Sequence, residues 1–72
     1  MLSDIIGNTV KNDGESLKRI LEIYLPFNSF HHAGDYVFNA VLPKGKLAVI
    51  TTVPVDEQDE EIRILSVNIR AK

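Results

Sequence analysis

The sequence predicts a small α+β domain in which N-terminal helical segments pack on one face of a three-stranded antiparallel β-meander, in the order α-α-β-β-β. Three observations lead to this fold class. Apolar residues recur at helical spacing before residue 26, branched and aromatic residues dominate after residue 35, and the later segments are joined by short connections. The 72 residues predict one domain over 1–72, with a helical part at 2–25, a loop at 26–35 and the meander at 36–70.

The principal predicted helix runs from Asp13 to Leu25. Its apolar residues fall at i, i+3, i+4, i+7 and i+8, which puts them on one stripe of a helix: Leu17, Ile20, Leu21, Tyr24 and Leu25. Asp13 is expected to accept hydrogen bonds from the free N–H groups of the first turn. Pro26 is expected to end the helix, because proline disfavours helical geometry in the residue before it. A shorter helix is predicted over residues 2–10.

The β half is predicted from runs of branched and aromatic residues between turn sequences. The three strands are expected at Tyr36–Leu42, Leu47–Val55 and Ile62–Arg70. Pro43–Gly45 predicts a tight turn between the first two, because proline fixes the first corner and glycine accepts the left-handed conformation. The charged segment Asp56–Glu61 is expected to be a loop. Connections this short favour an antiparallel arrangement.

Alternation along these strands predicts apolar side chains on both faces of the sheet, whereas an antiparallel sheet normally wets one face. One principal helix covers only one face. The other would leave branched side chains near water, and the residues expected to form an interface there are Val37, Val41, Ile50, Leu65 and Val67. Two ways of covering them stay open. Another chain covers them, or the loop with Phe27 and Phe30 or the N-terminal segment folds over them.

Composition narrows the possible functions. The absence of cysteine excludes a disulfide scaffold, thiol catalysis and the common zinc modules, and it suits a reducing, cytoplasmic location. A net charge of −2 gives no general attraction to nucleic acid or to an anionic membrane, and no apolar run is long enough to span one. A domain of this size buries only about 60% of its unfolded surface, so self-association or a permanent partner is expected.

His31 and His32, with Asp35 nearby, are the residues that most resemble a metal site. Adjacent histidines on a loop reach one ion only in a special backbone geometry, and a site needs three or four ligands. The sequence therefore favours surface histidines, and it predicts no metal and no cofactor.

The sequence as a whole predicts a non-enzymatic protein-interaction or regulatory module of the inhibitor, immunity or anti-defence kind. It is expected to dock an apolar sheet face or edge on a protein partner or on a second copy, with a dimer favoured. The acidic loop is expected at the rim of this interface, through Asp56, Glu57, Asp59 and Glu60. Two alternatives remain. One is nucleic-acid binding by the hairpin tip and the C-terminal strand, and the other is a small enzyme or ligand-binding protein that uses the histidines at a subunit boundary.

Overall fold

The computed structural model describes residues 2–71, which form one α-helix and one curled, five-stranded antiparallel sheet. The helix is α1, Glu15–Tyr24, and the strands are β1 Thr9–Lys11, β2 Ser29–Gly34, β3 Val37–Leu42, β4 Lys46–Pro54 and β5 Glu61–Ala71. The strand order across the sheet is β1-β5-β4-β3-β2. Short 3₁₀ turns at Leu2–Ile5 and Pro43–Gly45 complete the secondary structure of this range.

The predicted arrangement of two helices and a three-stranded meander is wrong, because a further strand lies on each side of the three. The segment predicted as a helix over 2–10 is a 3₁₀ turn followed by β1. The Gly7 N–H donates to the Ile64 carbonyl at 2.7 Å, and the Ile64 N–H donates to the Asn8 carbonyl at 2.9 Å. These long-range bonds replace the local bonds of a helix. The predicted loop 26–35 contains β2, which pairs with β3.

The three predicted strands are confirmed in position and order, with ends that differ by at most one residue. The turn between the first two is confirmed as well. Gly45 has the left-handed φ of 72° that the prediction required, and Lys44 shares it with a φ of 65°.

Both ends of α1 follow from its sequence. The Ser16 N–H donates to Asp13 Oδ1 at 2.8 Å, so the predicted capping role of Asp13 is confirmed. This bond lowers the pKa of the Asp13 carboxyl, since it favours the charged form. Leu25 leaves the helix in an extended conformation, with φ −137° and ψ 125°, directly before Pro26.

The core lies between α1, the first 3₁₀ turn and one face of the sheet, called here the helix side. Its members are fully or almost fully buried: Ile5, Leu17, Leu21, Phe38, Ala40, Leu42, Ala48, Ile50, Ile62 and Ile64. Thr52 is a polar residue in the same layer, and both its N–H and its hydroxyl donate to the Tyr36 carbonyl. This pairing offsets the cost of burying the hydroxyl.

A β-bulge in β5 decides which residues of that strand face the core. Thr52 pairs with Ile64 but Thr51 pairs with Ser66, so Leu65 is an extra residue in the ladder. Beyond it Val67 pairs with Ile50, which puts Val67 and then Ile69 on the helix side. Simple alternation predicts that Val67 and Ile69 lie on the face opposite to that of Ile62 and Ile64. That prediction is wrong, because the extra residue at the bulge shifts the alternation and puts all four side chains on the helix side.

Candidate interaction surfaces

The face of the sheet away from α1 carries a mainly apolar area on its central strands, with Asn39 and Thr51 as the polar residues within it. Directly paired residues in an antiparallel sheet share a face. Val41 pairs with Leu47, and Val49 and Val53 follow Leu47 at alternate positions of β4. The side chains that form this outer patch are all half-buried: Val37, Val41, Leu47, Val49 and Val53. Within residues 2–71, both the α-helix and the first 3₁₀ turn contribute their buried residues to the opposite face.

Polar residues of the flanking strands surround the outer patch. On the β2 side, Ser29 pairs with Val41. On the β5 side, Arg70 pairs with Leu47, Asn68 with Val49 and Arg63 with Val53. An apolar centre with a polar, partly cationic rim is the usual anatomy of a protein–protein interface.

The structure divides the five predicted interface residues among three places. Val37 and Val41 lie in the outer patch. Ile50 does not lie with them, because it pairs with Phe38 on the helix side and is fully buried in the core. The prediction that these residues share a face is wrong for Ile50. Alternation shows which residues of one strand share a face, but only the register between strands shows which face of the next strand matches it, and the register could not be deduced from the sequence. The same reasoning missed Leu47, which pairs with Val41, and also Val49 and Val53, which alternate with Leu47 along β4 and so lie on the same face.

The other two predicted residues, Leu65 and Val67, lie on a part of β5 that has a neighbour on one side only. β1 pairs with Glu61–Arg63, and its extension through Asn8 and Gly7 reaches Ile64. From Leu65 to Ala71, β5 pairs with β4, and no second strand of residues 2–71 accompanies it. We call Leu65–Ala71 the free edge. Leu65 and Ile69 are each 47% exposed there.

The backbone groups that the free edge presents follow from strand geometry. Successive residues alternate both in the face that bears the side chain and in the side to which N–H and C=O point. Ile64 faces the core and directs both backbone groups away from β4, towards Asn8 and Gly7. Val67, Ile69 and Ala71 also lie on the helix side. Their N–H and C=O groups therefore point out from the free edge.

The acidic loop between β4 and β5 is held by hydrogen bonds at one end of the sheet. Asp56 Oδ1 accepts from the Glu60 N–H at 2.9 Å, and Asn12 Nδ2 donates to the Asp59 carbonyl at 3.1 Å. The Tyr36 hydroxyl hydrogen-bonds to the Asp59 carboxylate, which raises the pKa of Tyr36. The loop begins three residues after Val53, so the predicted rim residues adjoin the outer patch at one end.

The two histidines lie in β2 and their side chains are on opposite faces of the sheet. His31 pairs with Asn39 on the outer face, while His32 is on the helix side and stacks on Phe38 with ring centroids 4.5 Å apart. Among residues 2–71, no group of three or more His, Asp or Glu side chains is arranged to hold a metal ion. An open cleft of about 470 Å³ lies beside His32, between β2 and the start of α1. Asp35 lines a second cleft of about 240 Å³ with Tyr36 and Asp59.

Comparisons with other proteins give no assignment. No family model, curated protein or solved structure matches this chain. The α-helix and the 3₁₀ turns of residues 2–71 are too short to cross a membrane.

Proposed function

We propose that this chain is a non-enzymatic protein-interaction module that acts by docking the outer patch on a partner protein. One observation carries the proposal. Five branched apolar side chains share the face that α1 does not cover, where Asn39 and Thr51 are the polar residues among them, and polar residues of the flanking strands border the group. A solvated face of an ordinary antiparallel sheet is polar, so five apolar side chains on this face favour contact with another surface.

The rim indicates the chemistry of the partner. Arg63 and Arg70 stand next to the outer patch on the β5 side, opposite Val53 and Leu47. A matching surface has an apolar centre with carboxylates placed to meet these guanidinium groups, since arginine recognises carboxylates through paired hydrogen bonds. Binding would act sterically, by covering the partner's surface, as expected of a regulatory or inhibitor-like protein in the cytoplasm.

A pair of lysine substitutions tests the proposal. Val49→Lys places a charge at the centre of the outer patch, and Ile23→Lys replaces an apolar side chain of α1 that is 74% exposed and lies off the outer patch. The immobilised wild-type chain first captures partners from an extract of the native host. The affinity of each captured protein is then measured for the purified wild type and both variants, and circular dichroism verifies that the variants are folded.

The proposal predicts that Val49→Lys weakens binding of the partner by about thirtyfold or more, as expected for a buried interface position, and that Ile23→Lys leaves it unchanged. A partner that binds the Val49→Lys chain as tightly as the wild type would show that the outer patch is not the docking surface.

A further inference from the structure

The free edge, Leu65–Ala71, is a second candidate surface, because its outward backbone groups lie outside the outer patch even though Asn68 and Arg70 border that patch with their side chains. It is long for an unpaired edge and it has few of the features that normally prevent pairing. It contains no proline and no acidic residue, and Arg70 is its one charged side chain. The bulge at Leu65 lies at its beginning and leaves Ser66–Ala71 in regular register with β4.

The opposite edge of the sheet, β2, is less suited to pairing. Its ladder with β3 shifts register between His32 and Gly34, so it is irregular near its end. It has no β-branched residue, whereas the free edge has Val67 and Ile69. An incoming strand would therefore find more regular partners along β5.

We propose that the free edge pairs antiparallel with the free edge of a second copy of this chain, around a two-fold axis at Ile69. In this register Ile69 faces Ile69 of the second copy, and Val67 faces Ala71. The three residues whose N–H and C=O groups point outward are thus matched with one another, and every such group gains a hydrogen-bond partner. The two five-stranded sheets become one continuous sheet, with both helix sides on the same face.

Side-chain chemistry favours a second copy over a strand of another protein. On the helix side all the paired residues of the free edge are apolar, and on the outer face Arg70 is placed opposite Asn68. No charged residue directly opposes another of the same sign, which would oppose association. The segment before β1 also limits the register, because Gly7 and Asn8 already hydrogen-bond to the backbone N–H and C=O of Ile64. Pairing around Ile69 stays clear of that position.

A proline substitution tests the backbone pairing. The Ile69 N–H points away from β4, so Ile69→Pro removes an edge donor and leaves the ladder between β4 and β5 in place, as proline is tolerated at edges. Ile69→Thr is the matched control, because it also removes the isoleucine side chain but keeps the N–H. Sedimentation equilibrium over a wide concentration range measures the dimer dissociation constant of each chain.

The expected result is a wild-type dimer that dissociates on dilution. Ile69→Pro should raise the dissociation constant by about tenfold or more, while Ile69→Thr remains dimeric. A wild-type chain that stays monomeric at every concentration, or an Ile69→Pro chain that dimerises as well as the wild type, overturns the proposal. If the free edge binds only strands of other proteins, the purified wild-type chain stays monomeric, which is the first of these two outcomes. Neither result alters the test of the outer patch, which uses different residues.

Disulfide cross-linking keeps the proposal testable if the proline variant does not fold. The chain contains no cysteine, so a single introduced thiol is unique. Directly opposed residues in a hydrogen-bonded antiparallel pair have Cα atoms about 5.5 Å apart, within disulfide range. Mild oxidation should therefore link Ile69→Cys chains into covalent dimers. Ser29→Cys, on the β2 edge, is the control, and preferential cross-linking of that variant would overturn the proposal.

Discussion

The two halves of β5 both alternate apolar and polar residues, but their surroundings differ. The first half, Glu61–Ile64, lies between β4 and the β1 segment, and its two isoleucines are fully buried. The second half, Leu65–Ala71, keeps β4 on one side only, and Leu65 and Ile69 are each 47% exposed. The bulge at Leu65 separates them. Residue type therefore does not decide burial within this strand, since isoleucine occurs in both halves. The neighbouring strand decides it.

This contrast explains how one short chain can be stable and also present a binding surface. The first half of β5 joins the core formed with α1, so opening it would expose the fully buried side chains of Ile62 and Ile64. The second half leaves backbone groups and apolar side chains available without opening anything. Elements that bind partners are commonly drawn from such less protected regions.

The difference between the two halves of β5 predicts its largest effect on the free energy of unfolding that is lost when an isoleucine is shortened to alanine. Ile64→Ala removes a side chain with no exposed surface from the core, so we expect it to lower the free energy of unfolding by about 2–5 kcal/mol. Ile69→Ala, in the exposed half, should lower it by less than about 1 kcal/mol. Urea unfolding at the lowest usable protein concentration measures both, because dimer formation adds to the apparent stability at higher concentration. Equal costs would show that the two halves of β5 are not packed differently.

A smaller effect is predicted where the strand register changes. Thr52 and Thr51 are adjacent in β4 opposite the bulge, but Thr52 is buried and its hydroxyl donates to the Tyr36 carbonyl. Thr52→Val removes that hydrogen bond and keeps the shape, which should cost about 1 kcal/mol. The carbonyl still accepts from the Thr52 N–H, so it is not left unpaired.

The control for this change is Thr51→Val on the outer face, which should alter the free energy of unfolding by about 0.5 kcal/mol at most. Urea unfolding of the two variants provides the comparison. A larger loss from Thr51→Val than from Thr52→Val would mean that the register opposite the bulge is assigned wrongly.

The sequence was sufficient to predict the elements that carry their own local signal. The helical stripe from Leu17 to Leu25, the capping by Asp13, the stop before Pro26 and the turn at Pro43–Gly45 all depend on residues within a few positions of one another. The cap, the stop and the turn are found in the structure, and the stripe is found through Leu17, Ile20 and Leu21, whereas Tyr24 is 38% exposed and Leu25 lies outside the helix.

The two edge strands could not be predicted, because they exist through pairing with distant strands. β1 has three residues, and only Val10 among them is half-buried. β2 reads Ser-Phe-His-His-Ala-Gly, with Phe30 as its one half-buried residue, so neither alternation nor β propensity marks it.

The candidate surfaces also depend on pairing between distant strands. Alternation shows which residues of β4 share a face, but the register that sets Leu47 beside Val41 and the bulge at Leu65 are properties of strand pairs. Val37 and Val41 lie on the outer face and their interface role stays a prediction, whereas Ile50 lies in the core and not on the face expected for it.

The smallest effect concerns the start of α1, which covers the buried half of the sheet and not the free edge. The Ser16 N–H bond lowers the pKa of Asp13 from its usual value of 3.8. A group whose pKa is lower in the folded state contributes stability above its unfolded pKa and loses it as the pH falls through the folded value. The stability that the Asp13 carboxylate contributes to the folded state should therefore be complete at neutral pH and be lost as the pH falls below about 4.

Thermal unfolding between about pH 7 and pH 2 tests this with two variants. Asp13→Asn keeps a capping oxygen without the charge, and Asp13→Ala removes both. At neutral pH the wild type should have the highest Tm and Asp13→Ala the lowest, because a carboxylate also interacts favourably with the positive end of the helix. At the acid end the wild type and Asp13→Asn should converge, since a protonated carboxyl caps much as an amide does. A wild-type advantage that persists unchanged at the acid end would mean that the charge of Asp13 does not act at the start of α1.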